Sequence, residues 1–188
     1  MIKLFCRLVF WLKGWKVSSM PPTDIKRYVL IGAPHTSNWD FVYSMAAGDH
    51  MNLQSYFAIK KEWMRFPFNL FLKPLGAISI DRSVKRAGEK RLNMVDEMVE
   101  MIKSRNEIAV LITPEGTRQP VKRWRKGFYH VAQKAQVPIL LGYFDYKKKE
   151  AGIGKVIYPS GDIEKDMREI WDFYNTITPR HPDKFIKL

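Results

Sequence analysis

Two residue types able to move a proton lie five positions apart near the start of the chain, His35 and Asp40. An imidazole with a carboxylate beside it is the combination that makes a general base with an orienting partner. The spacing restricts how the two can meet. On one straight helix five residues is about 500° of rotation, which would leave the side chains roughly 140° apart. They converge only if His35 sits on a loop and Asp40 lies in the first turn of the helix that follows. The local sequence suits that arrangement. The apolar run Tyr28-Val29-Leu30-Ile31 reads as a buried strand, and Gly32-Ala33-Pro34 ends it. Ser37 and Asn38 are then well suited to open a helix.

Further groups are suited to an anionic ligand. A second apolar run, Ile108–Ile112, ends in Thr113-Pro114-Glu115-Gly116-Thr117-Arg118. Loops at the carboxyl ends of strands are where open α/β sheets put their ligands. Arg118 offers a planar fork for phosphate, Thr117 a hydroxyl, and Gly116 a close backbone approach. Arg82 follows another apolar run, Gly76–Ile80, and the loop Lys122–Lys126 adds further donors. Each arginine taken singly is better explained by a solvated surface charge. The chain has no nucleotide-type glycine loop, no Gly-x-Ser-x-Gly elbow and no metal-ligand spacing. Ser37 lies too near His35 to be its nucleophile. His50, His130 and His181 have no evident partners.

The elements that must hold these groups alternate between strand and helix. Strands are expected at 28–31, 54–59, 76–82, 108–112, 138–144 and 155–158. Helices are expected from the His35 loop to about Met51, and over 86–104, 128–136 and 163–177. Ser18–Asp24 reads as a polar connector. In the helix over 86–104, Leu92, Val95, Val99 and Ile102 form one stripe with Met94, Met98 and Met101 beside it, which reads as core rather than a cofactor pocket. The aromatic, basic stretch 60–74 reads as a helix covering the core in preference to a second surface touching lipid. This pattern gives one α/β domain, a mixed sheet covered by helices, with an amphipathic helix at its amino terminus. In that first segment, residues 1–17, Leu4, Leu8, Trp11, Leu12 and Trp15 recur at helical spacing among Lys3, Arg7, Lys13 and Lys16. Two readings fit it equally: a helix lying in a membrane interface, or a terminal helix packed on the core.

Composition narrows the partners. The chain of 188 residues is 46% hydrophobic and carries a formal charge of +13, with a pI near 9.8. That balance favours nucleic acid, anionic lipid or a phosphorylated ligand. Cys6 is the single cysteine, so no disulfide framework or cysteine-based metal site is available, and a reducing compartment is the simplest setting. No stretch approaches the ~20 apolar residues of a membrane span.

Four blocks in order carry a resemblance to a known family. They are His-x-Ser-x-x-Asp (His35, Ser37, Asp40), Gly-x-x-x-Ile-x-Arg (Gly76, Ile80, Arg82), Pro-Glu-Gly-Thr-Arg (Pro114 to Arg118) and Val-Pro-Ile (Val137 to Ile139). Over about residues 28–145 the chain resembles the glycerolipid acyltransferases of the 1-acylglycerol-3-phosphate type. The resemblance implies a base at His35 with Asp40 as its partner, and acceptor-phosphate binding by Arg82 and by Glu115, Gly116, Thr117 and Arg118, with Lys126 in a less distinctive family segment. The expected organisation is an acyltransferase domain over 18–188 preceded by the amphipathic helix read from its own pattern, 1–17, as an interfacial segment. The resemblance implies a lysolipid acceptor, acyl-CoA or acyl-carrier protein as co-substrate, no further cofactor and no nucleic acid. The expected place is the cytoplasmic side, peripheral on an anionic membrane. Pro34, Ser79, Gln119 and Leu141 depart from the usual family residues, so a lyso-ornithine lipid remains an alternative acceptor. A non-catalytic lipid-binding protein and a basic nucleic-acid binder are the rival classes.

Overall fold

The computed structural model describes residues 2–53, 55–60, 66, 70, 76–80 and 94–187. A sheet of seven strands divides the molecule: β1 (Lys16–Ser19), β2 (Arg27–Gly32), β3 (Ser55–Lys60), β4 (Ala77–Ile80), β5 (Ile108–Ile112), β6 (Ile139–Asp145) and β7 (Glu150–Ile157). Their order across the sheet is β1-β7-β6-β2-β5-β3-β4. Strands β2 to β6 run parallel, while β7 pairs antiparallel with β6 and parallel with β1. The sheet is therefore mixed, as expected.

The apolar run of β2 explains its central place, because both its faces are covered. Val29 and Ile31 join a core with helices α3 (Met94–Lys103), α4 (Gly127–Ala135) and α5 (Ile163–Asn175). Tyr28 and Leu30 face the other way, into a core shared with α1 (Ile2–Leu12) and α2 (Trp39–His50). The result is a three-layer α/β/α domain.

Several element boundaries move. Residues 16–19, expected to fall in the first segment and a polar connector, form edge strand β1 on β7. The last strand starts at Glu150 rather than 155, because the turn after β6 reverses the chain at once and β7 pairs along most of β6. The first segment is not separate from the domain. Cys6, Phe10 and Trp15 are buried against α2, while Leu4, Phe5, Leu8, Trp11 and Leu12 are exposed. Thus α1 serves as core cover on one face and presents an apolar surface on the other. Arg82, the helix start at 86–93 and most of the stretch 60–74 lie outside the described residues.

Candidate active site

Register brings the two motif loops together. In the β2–β5 pair Ile31 stands opposite Ile112, so the chain leaves the sheet at residues 33 and 113 side by side. His35 lies on the first of these loops and Asp40 in the first turn of α2, the one arrangement that the five-residue spacing allows. His35 Nδ1 is 3.2 Å from Asp40 Oδ2. A carboxylate only accepts, so the ring nitrogen facing it donates, and Nε2 is left as the ring's other nitrogen. The same Oδ2 accepts the Thr36 and Ser37 N–H groups at 3.0 and 2.9 Å. Asp40 thus closes its own loop from inside the helix. The helix-starting residue, Asn38, makes no side-chain cap, and Ser37 Oγ accepts the Trp39 N–H instead.

Glu115 holds the other side of the loop. Its Oε2 accepts the His35 backbone N–H at 2.8 Å, while Oε1 has no hydrogen-bond partner among the described residues. The side chain is 6% exposed. Burial pushes its carboxyl from 4.5 up to about 7, against the pull of the His35 N–H and the His35 charge; Asp40 adds to the rise. Glu115 is a strut behind His35 rather than part of the cavity wall.

Among the remaining residues of that turn the roles divide. Gly116 and Arg118 line a cavity that His35 and Asp40 also line, whereas Thr117 turns its Oγ1 to the Gln119 N–H. Gly116 has φ +66°, and a Cβ there would sit 3.1 Å from the guanidinium carbon of Arg125. Arg125 therefore lies over the glycine and lines the cavity too, held by its N–H on the Pro114 carbonyl at 3.0 Å. Lys126 is turned away, paired with Glu164 of α5. In the basic loop 122–126 the cavity cation is thus Arg125, because buried Trp124 anchors the loop in that phase. A second group that the sequence did not reveal is Tyr146, whose hydroxyl donates to Asp40 Oδ1 at 2.5 Å from 106 residues away.

The cavity measures about 760 Å³. Besides the polar His35, Arg118 and Arg125, its lining is largely apolar, with Met45 of α2, Met51 just past that helix's end, Leu53, Phe57 and Leu111. Met94 and Met98 of α3 also reach it, so the methionine stripe contributes wall as well as core. A basic nitrogen, two guanidinium forks and an apolar chamber can together bind an anionic group and a long apolar chain beside a proton acceptor. Among the described residues no group of three or more His, Cys, Asp or Glu is placed to hold a metal ion.

A search of curated proteins gives no match to the chain. The family model described as Acyltransferase matches residues 17–140, about two thirds of the chain, from the edge strand β1 to the start of β6. The match spans both loops that meet at His35, and the chain belongs to the glycerolipid acyltransferase family of enzymes.

Proposed function

We propose that this acyltransferase moves a fatty acyl group from acyl-CoA or acyl-carrier protein to the free hydroxyl of a lysophospholipid such as 1-acylglycerol-3-phosphate. The observation that carries this reading is the His35–Asp40 pair at the mouth of an apolar chamber flanked by Arg118 and Arg125. His35 Nε2 takes the proton of the acceptor hydroxyl as its oxygen attacks the thioester carbonyl carbon. The carbon–sulfur bond then breaks, and the departing thiolate recovers the proton from the imidazolium. Asp40 holds the ring and stabilises the cation formed in between. The two guanidinium groups hold the acceptor phosphate, and the acyl chain lies along Met45, Met51 and Phe57.

The water-insoluble acceptor places the enzyme at a membrane surface. No helix among the described residues is long and apolar enough to cross a bilayer. The exposed face of α1, with Trp11 72% exposed and Lys3, Arg7 and Lys13 along the helix and its end, suits an anionic leaflet. The test is transfer of labelled acyl groups from acyl-CoA, and separately from acyl-carrier protein. The acceptor panel includes lysophosphatidic acid, other lysophospholipids and lyso-ornithine lipid, with His35→Ala in parallel. Product that vanishes with the variant supports the reading and identifies the acceptor. Absence of product from every pair, with folded enzyme bound to vesicles, overturns it.

A further inference from the structure

We propose that Tyr146 is a positioning residue for the His35–Asp40 pair, a role that rests on the general-base reading above. Asp40 uses its two oxygens differently. Oδ2 faces His35 and takes the two loop N–H groups, whereas the partner of Oδ1 is the Tyr146 hydroxyl. Asp40 is 3% exposed, so without that donor Oδ1 would be a buried carboxylate oxygen with no hydrogen-bond donor among the described residues. The carboxylate would then turn toward another donor, or share a proton, and either change loosens its hold on Nδ1.

The setting of Tyr146 is built rather than incidental. It follows β6 directly, and its N–H is fixed on the Thr178 carbonyl at 2.8 Å. Trp15 meets the ring edge-on with centroids 4.9 Å apart, Tyr43 packs at 5.8 Å, and the Arg180 guanidinium lies over the ring. Burial and the adjacent Asp40 raise the phenol well above its ordinary range, so it stays a donor. Both Tyr146 and its buttress Trp15 lie outside the span 17–140 that matches the family. Segments from either side of the matched span thus meet behind the aspartate.

Tyr146→Phe keeps the ring and removes only the donor. The expected result is a fall in kcat of about tenfold, with KM for donor and acceptor within about twofold, since one neutral-to-charged hydrogen bond is lost away from both substrates. A second readout needs no turnover: the downfield proton resonance of His35 Nδ1 should move upfield in Tyr146→Phe and disappear in Asp40→Ala. If the Phe variant does not fold, the Tyr146 hydroxyl proton of the wild-type chain decides, because it must move upfield in Asp40→Asn. A wild-type kcat with an unmoved His35 proton overturns the proposal. So does a loss confined to KM, which would make Tyr146 a substrate contact. Absence of turnover in the wild-type enzyme would reject the acyl-transfer reading, while the proton resonances still settle the role of Tyr146.

Discussion

At the scale of single residues, the site separates groups that act from groups that hold. In the proposed mechanism His35 is the former, and His35→Ala should lower kcat by on the order of 10²–10⁴-fold with folding intact, measured by acyl transfer against thermal denaturation. Glu115 is the latter, and its two substitutions should part company. Glu115→Gln keeps an oxygen for the His35 N–H and should stay active, whereas Glu115→Ala should lower kcat more than acceptor KM. A phosphate-binding role would give the opposite split. Glu115 also makes stability depend on pH. Its folded carboxyl keeps its proton to about 7 instead of 4.5, so the contribution is complete below 4.5 and lost as pH rises through 7. Denaturant titrations should show Glu115→Gln gaining on the wild type across that window by on the order of 3 kcal/mol.

At the scale of elements, the turn after β5 and helix α2 have separable duties. Gly116 is in the left-handed region with Arg125 against it. Gly116→Ala should therefore cost about 1–2 kcal/mol in stability and displace the guanidinium, raising acceptor KM more than donor KM. Gly48 lies on α2 at the cavity wall, and a Cβ there meets nothing within 4 Å. Gly48→Leu should be tolerated by the helix, since glycine is a poor helix former by about 1 kcal/mol. The added side chain would occupy the chamber, and competition between acyl donors should shift toward shorter chains. An unchanged chain-length profile would place the acyl group elsewhere.

At the scale of the whole molecule, the proposed membrane association draws on both the formal charge of +13 and the exposed face of α1. Deleting residues 1–17 would be a poor test of that surface, because it also removes Cys6, Phe10 and Trp15 from the core. The double change Leu8→Asp and Trp11→Asp alters only exposed positions. It should leave the thermal midpoint nearly unchanged and weaken co-sedimentation with anionic vesicles by at least about tenfold. Residual binding should fall further as salt shortens the screening length below about 8 Å. Unchanged co-sedimentation would remove α1 from the membrane-binding surface.

Local chemistry carried much of this in the sequence itself. The apolar runs set β2 and β5, the alternation of strand and helix set an α/β domain, and the five-residue spacing demanded a loop histidine before a helical aspartate. Each depends on neighbours within one or two turns, which periodicity and turn residues report directly. The sequence was less informative where contact partners are far apart. Glu115 reaches His35 across 80 positions and Tyr146 reaches Asp40 across 106, so no local pattern marks either bond. Arg125 and Lys126 are adjacent cations, and only the packing of Trp124 decides which one faces the cavity. The amino-terminal helix posed a choice between core and interface; one of its faces packs on the core and the other is exposed. Spacing along a chain determines what an element is; which side chains meet across elements is decided by register and packing, and these exist only in the folded molecule.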